Sequence, residues 1–388
     1  MSREASVTGE ALTARRYSLI ELAETLPDVV SLGRGDPDLD TPPHIVGSAC
    51  ERLASGVAVP PVQGLRELRV ALAVRYRRER GLDYDPDSEV LVTNGAQEGL
   101  FLAMLALVDP GDGVMMGDPR YSSYDQAVAA AGGRLVPVPT DLEDDFALRP
   151  ERVRDAAADA KVLVLVNPNN PTSALVNEDS VRAIAGEARA AGLVVISDEI
   201  YESLVFDGRQ ALPVAACPGM RNSTVTLSGF SKTYAMTGFR MGYLLAPAAF
   251  IAAATALKAR LSGPSPAFSQ YAALAALTGP QDAVLEFRAI FDGRRRLMVD
   301  ALSSLGIRFG HPGGGFYIWA DISRFGLNAD ELCYRLLTEA RVLIFPGTSF
   351  GEAWGQYVRI SLLQPEDRLR EAIARLARFV RSLEVPRA

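Results

Sequence analysis

Seven short apolar or β-branched runs, separated by amphipathic stretches, predict an α/β fold: a large domain on a mainly parallel seven-stranded sheet, then a smaller α+β domain. The runs are apolar on both faces, the stretches between them have helical spacing, and the element order changes in the last hundred residues or so. The runs are Val90–Thr93, Val114–Met116, Leu135–Val138, Val162–Val166, Val194–Ser197, Val225–Leu227 and Gly242–Leu245. Helices are predicted over Leu65–Glu79, where Leu65, Leu68, Leu72 and Tyr76 share a face, and over Gln97–Val108, Ser122–Ala131 and Ser180–Ala191; Gly or Pro-Gly closes each nearby. After Gly263-Pro264 a long helical stretch breaks at Gly279-Pro280, and its arginine run Arg294–Arg296 reads as a solvated face. Beyond it, Ile307–Phe309, Phe316–Trp319, Leu343–Phe345 and Tyr357–Ile360 predict the strands of the smaller domain. The large domain is placed at residues 46–285 and the smaller one at 286–388.

With 388 residues the chain has room for about two domains. Hydrophobic residues make up 48% and charged residues 22%, which excludes disordered, collagen-like and coiled-coil chains. The 40 Lys+Arg against 47 Asp+Glu give a net charge of -7, so neither nucleic acid nor membrane is expected as a partner. Cys50, Cys217 and Cys333 lie far apart and only His44 and His311 accompany them, a poor disulfide framework and a poor zinc site; a reducing cytoplasm fits. Residues 1–20 lack the apolar core of a signal peptide, and Phe101–Val108 is far shorter than the ~20 residues that span a bilayer. Only Lys161, Lys232 and Lys258 are lysines, so lysine-dependent chemistry has three candidates.

Lys232 stands out, because it follows a predicted strand in a loop of small and hydroxyl residues, at the sheet edge where α/β proteins place ligands. A lysine amine there can form a Schiff base, with Arg240 as a source of the positive charge that activates it. Lys161 and Lys258 read as surface amines. A lysine Schiff base points to pyridoxal phosphate, which needs a phosphate cradle, an anion at the ring nitrogen, a donor to the phenolic oxygen and a flat group over the ring. Gly95, Ala96 and Gln97 open a predicted helix and offer backbone N–H groups to a phosphate. Asp198 ends a strand and suits the ring nitrogen, although it reads equally as a helix cap. Tyr201 and the Asn170 amide are donors for the phenolic oxygen, and Tyr121 is a candidate for stacking or for packing. Arg359 interrupts an apolar strand, where its charge needs an anion: a substrate carboxylate or an internal acidic partner.

In order and spacing these pieces resemble the class I/II aminotransferases, pyridoxal-phosphate enzymes of fold type I, along nearly the whole chain. The matching stretches are Ser31-Leu-Gly-Arg-Gly-Asp-Pro-Asp38, Gln63-Gly-Leu-Arg-Glu-Leu-Arg69, Thr93-Asn-Gly-Ala-Gln-Glu98, Asn167-Pro-Asn-Asn-Pro-Thr172, Ser197-Asp-Glu-Ile-Tyr-Glu202, Gly229-Phe-Ser-Lys232 through Arg240, Gly313-Gly-Gly-Phe-Tyr317 and Val358-Arg-Ile-Ser361. The resemblance implies Lys232 as Schiff-base lysine and proton shuttle, Asp198 at the ring nitrogen, Asn170 and Tyr201 at the phenolic oxygen, and Tyr121 stacked on the ring. It implies Ala96, Gln97, Ser231 and Arg240 at the phosphate, with Ser228 sharing that role, and Gly35 and Arg359 at the substrate carboxylate. It also implies amino-acid and 2-oxo-acid substrates, a homodimer, and an N-terminal arm over residues 1–45 beside the smaller domain. The chain departs from the family at Val59, where a tyrosine commonly reaches the neighbouring subunit's phosphate, at Ser173 for a glycine, and at Gly229 for the serine of some members. Val59 keeps β-elimination or a decarboxylating or oxidative variant beside transamination. A non-catalytic ligand sensor is the reading from another class. Arg34 reads as solvated, or as a partner for an acidic substrate side chain, and Phe316 and Tyr317 as filling of the smaller domain.

Overall fold

A computed structural model of the chain describes residues 18–56 and 58–384. It opens with a helix over residues 18–25 (α1), followed by β1 (Val30–Ser31), α2 (Pro43–Ala54) and α3 (Arg66–Arg80). Leu68, Leu72 and Tyr76 recur at one-turn spacing along α3 and are all buried, and the helix stops at Gly81, whose φ of 66° suits glycine. Just before α3, a Cβ on Gly64 would lie 2.4 Å from Val92 Cγ2, so that turn needs glycine for its close approach as well as for its φ of 107°.

The central sheet is built from β2 (Val90–Thr93), β3 (Gly113–Asp118), β4 (Arg134–Pro139), β5 (Val162–Val166), β6 (Val194–Asp198), β7 (Thr224–Gly229) and β8 (Gly242–Leu245). Between them run α4 (Gly95–Leu107), α5 (Ser122–Ala130), α6 (Pro150–Ala156) and α7 (Glu178–Ala190). The strand order is β2-β8-β7-β6-β5-β3-β4, with β8 antiparallel to both neighbours and the other pairs parallel. All seven apolar runs are strands of this sheet, their ends shifted by one or two residues at most. Because β5, β6 and β7 run in the same direction, their carboxyl ends deliver Asn167, Asp198 and Gly229 to one edge.

The chain continues through α8 (Ala248–Leu261), α9 (Ala267–Thr278) and α10 (Asp282–Ser304), the break falling at Gly279 as the sequence indicates. An antiparallel sheet of order β12-β13-β10-β9 follows, from β9 (Arg308–Phe309), β10 (Tyr317–Asp321), β12 (Phe345–Pro346) and β13 (Tyr357–Ser361). Helices α11 (Ala329–Ala340) and α12 (Glu366–Glu384) accompany it. A separate pair joins β1 to β11 (Val342–Leu343) in parallel, and Leu32 exchanges backbone hydrogen bonds with Leu343 and Ser361. Residues 1–17 of the expected N-terminal arm, most of the stretch read for a signal peptide, and Val57 lie outside the described residues. Among the described residues no helix is long and apolar enough to cross a membrane, and no His, Cys, Asp and Glu cluster is placed to hold a metal.

Two expectations about charge are overturned. Arg294 and Arg295 are 6% and 5% exposed; Arg294 forms a two-pronged pair with Asp38 at 2.7 and 2.9 Å, and Arg295 pairs with Asp207 and Asp292. Only Arg296 of that run is solvated. Lys258 is fully buried and pairs with Glu98 at 2.7 Å. In each case a carboxylate far away in sequence reaches the buried cation from the edge of the core, which no local pattern in the sequence reveals.

Candidate active site

The sheet edge opens into a cavity of about 620 Å³. Its lining includes Gly35, Ala96, Gln97, Tyr121, Asn170, Asp198, Tyr201, Ser231, Lys232, Arg240 and Arg359. Of the remaining candidates, Gly95 lies behind the wall in the first turn of α4, and Ser228 does not line the cavity. Strand alternation explains the latter: Ser228 stands opposite Tyr243 in the core and its hydroxyl donates to the Glu199 carbonyl at 3.3 Å. Once the chain leaves β7 at Gly229, Ser231 comes round to the cavity instead.

Lys232 lies three residues past β7, its side chain 15% exposed. Its Nζ donates to the Gly35 carbonyl at 2.6 Å and to Asp36 Oδ1 at 3.1 Å. The charge beside this amine is therefore the carboxylate of Asp36, not the Arg240 guanidinium that the sequence suggests. Asp198, at the end of β6, is 5% exposed. Tyr124 donates to its Oδ2 at 2.7 Å and the Ile200 N–H to its Oδ1 at 3.0 Å; burial outweighs both and pushes the carboxyl up to about 6. A buried acid in this condition is suited to a cation, such as a protonated ring nitrogen. Burial likewise raises the Tyr201 phenol well above its ordinary value, which keeps its hydroxyl a donor.

Arg359 enters from β13 and is 3% exposed. Its Nη1 donates to Asn170 Oδ1 at 3.1 Å and its Nη2 to the Gly33 carbonyl at 2.9 Å, while its guanidinium lies 4.1 Å from the Tyr317 ring centroid. Asn170 thus uses its oxygen on Arg359 and leaves Nδ2 as a donor for a ligand. Tyr317 lines the cavity beside Gly35, where a Cβ would meet its hydroxyl at 2.9 Å; Phe316 alone of the pair is filling.

At the other end, α4 begins at Gly95 with φ of 77°, and a Cβ there would stand 2.5 Å from Arg240 Nη2. A glycine that lets a guanidinium close on the first turn of a helix makes an anion cradle of N–H groups and positive charge. A cradle, a buried acid and an amine around one cavity fit the phosphate, ring nitrogen and carbonyl of pyridoxal phosphate.

Sequence reasoning missed Tyr124, although it stands one turn after Tyr121 on the helix it caps. It also missed the α1 wall of Ile20, Ala23 and Glu24, and the acids beneath the site. There Glu199 accepts from Ser197 at 2.9 Å and is pushed well above the usual carboxylate range by burial and by Glu202, itself held by Arg75 and Arg80 at 2.7 and 2.8 Å. The acidic doublet Asp198-Glu199 was the available signal.

The family description aminotransferase class I and II matches residues 27–376. An aspartate aminotransferase of Pyrococcus abyssi is 36% identical over 367 residues, 94% of each chain. An aspartate/prephenate aminotransferase of Thermus thermophilus is 38% identical over 385 residues, 98% of this chain and 96% of the other. The solved structure of an aromatic aminotransferase from Pyrococcus horikoshii superposes with a TM-score of 0.90 at 36% identity, covering 94% of this chain and 99% of that one. Agreement of this extent, in sequence and in backbone alike, is between whole enzymes and not between isolated motifs: the chain belongs to the class I and II aminotransferases, pyridoxal-phosphate enzymes that move the amino group of an amino acid to a 2-oxo acid.

Proposed function

We propose that Lys232 carries the cofactor and shuttles the proton of this reaction. In this reading Asp198 meets the ring nitrogen, Asn170 and Tyr201 the phenolic oxygen, and Tyr121 the ring face. Ala96, Gln97, Ser231 and Arg240 hold the phosphate, with Gly95 giving the turn, and Gly35 and Arg359 hold the substrate carboxylate. The observation that supports it is the convergence of Lys232, Asp198 and Arg359, from three distant stretches of chain, on one cavity.

Bound there, pyridoxal phosphate supplies the carbonyl that receives the amino group and the electron sink for charge left at the substrate Cα. Arg359 orients the substrate by its carboxylate. Lys232 Nζ takes the proton from Cα and returns a proton as product forms, held on that side by the Gly35 carbonyl. Asp198, taken out of water by burial, gains a cation to pair with and so retains the ring proton.

For substrates, Arg34 at the cavity mouth suits the distal carboxylate of an acidic amino acid or oxo acid, and Ile20, Val29 and Leu343 give the same cavity an apolar wall for an uncharged side chain. We take the working unit to be a homodimer, as membership of this family suggests, and light scattering measures this directly. The division at residues 46–285 and 286–388, with the arm over 1–45, and a cytoplasmic setting for three free thiols belong to the same reading. The experiment that tests the function is an absorbance spectrum of purified protein, before and after amino acids are added without an acceptor. Transamination converts the visible band stoichiometrically and turns over only with a 2-oxo acid. Ammonia and oxo acid accumulating without an acceptor would mean elimination or oxidation instead, and a function that survives Lys232→Ala would mean a ligand sensor.

A further inference from the structure

Lys258 is a buried cation that the reaction above does not use. It lies in the last turn of α8 with no exposed surface, and its Nζ donates to Glu98 Oε2 at 2.7 Å. Glu98 stands in the first turn of α4, the turn whose Ala96 and Gln97 line the cavity. Its two carboxylate oxygens also accept the Asn94 backbone N–H at 2.6 Å, the Asn94 Nδ2 at 3.0 Å and the Ser262 hydroxyl. One carboxylate therefore ties the cap of α4 and its first turn to the end of α8.

This arrangement has an electrostatic problem that Lys258 solves. Burial pushes the Glu98 carboxyl up, but hydrogen bonds from Lys258, Ser262 and the Asn94 backbone outweigh burial and keep it ionised. An ionised carboxylate in the same turn as a phosphate cradle repels the anion that the helix dipole attracts. Arg240, pressed against Gly95, serves the front of that cradle, and the ammonium of Lys258 cancels the charge behind it.

We propose that Lys258 is a positioning residue for the cofactor's phosphate: through Glu98 it fixes the first turn of α4 and removes the negative charge that would stand behind the bound anion. The proposal rests on the reading that Ala96 and Gln97 receive that phosphate. The test is binding to cofactor-free enzyme, followed by absorbance and fluorescence, of pyridoxal phosphate, of pyridoxal without phosphate, and of inorganic phosphate as competitor. Lys258→Met is expected to weaken pyridoxal phosphate and inorganic phosphate by about tenfold or more, with pyridoxal changed by less than about threefold. The double variant Lys258→Met/Glu98→Gln, which removes both charges, should recover most of the loss. Should the single variant not fold, the double variant and Lys258→Arg carry the comparison, Lys258→Arg binding phosphate like the parent and the double variant within about threefold of it. Equal losses for pyridoxal and pyridoxal phosphate, or unchanged phosphate affinity in Lys258→Met, overturn the role. Failure of inorganic phosphate to compete in the parent enzyme, together with indifference to Arg240→Met, overturns the phosphate site itself.

Discussion

Asp198→Asn in the cofactor-free enzyme tests the electrostatics of the site apart from its chemistry. An unfolded aspartate ionises near 3.8, whereas burial holds the folded Asp198 carboxyl up to about 6. Between those values the folded state binds a proton that the unfolded state has lost, so stability falls as pH rises. At 1.36 kcal/mol for each tenfold step, the cost of ionising Asp198 reaches about 3 kcal/mol at neutral pH, roughly half of it gained between pH 5 and pH 7.5. Asparagine keeps both contacts: Oδ1 accepts from the Ile200 N–H, and Nδ2 donates to Tyr124, whose hydroxyl now accepts. The assay is urea unfolding of both cofactor-free proteins from pH 5 to pH 8. The variant should gain on the parent steadily, ending more stable by about 3 kcal/mol, while losing activity when cofactor is supplied. A stability difference that stays flat with pH, or moves in favour of the parent as pH rises, would refute the claim that burial outweighs the two hydrogen bonds to this acid. Adding pyridoxal phosphate should close the gap, because the parent then gains a cation for Asp198 and the variant does not.

Lys232→Ala should abolish the visible absorbance band and lower kcat by about 10⁴-fold, with far-ultraviolet circular dichroism unchanged. Arg359→Met should raise KM for amino acid and oxo acid alike by about 30-fold to 100-fold, the loss expected for a charged two-pronged hydrogen bond, as read from initial rates. Arg34→Met should lower kcat/KM for dicarboxylic substrates by about fivefold, the modest effect of an exposed charge, and leave phenylalanine within about twofold; equal effects on both substrates would show no role in selectivity.

Much of the fold was legible because its information is local. The run Val162–Leu165 is fully buried, with Val166 half-buried at the cavity, and a short β-branched run of this kind suits a strand covered on both faces. The site was legible to the extent that its residues sit at element ends, where Gly95, Asp198 and Lys232 each break a strand or helix pattern. What stayed hidden depends on pairing across the chain. Arg294 meets Asp38 and Lys258 meets Glu98, partners 256 and 160 positions apart, so each cation looked like surface when read alone. Tyr317 reads as core from sequence because core and cavity wall are both apolar; only the fold brings its hydroxyl against Gly35. Ser228 points into the core from within β7 while Ser231 lies past its end, a difference the sequence states only once the end of β7 is known.

The arm that carries α1 has a practical consequence. Ile20, Ala23, Val29 and Arg34 reach the cavity from one continuous stretch near the start of the chain, joined to β11 by a two-residue pairing, whereas Asp198, Lys232 and Arg240 come from the central sheet and its loops. In the reading proposed above, most of the side-chain wall and the cofactor contacts thus come from separate stretches of the polypeptide. A combinatorial library at Ile20, Ala23, Val29 and Arg34, with Gly33 kept because its carbonyl holds Arg359, is therefore expected to reshape what enters the cavity while the cofactor contacts stay in place.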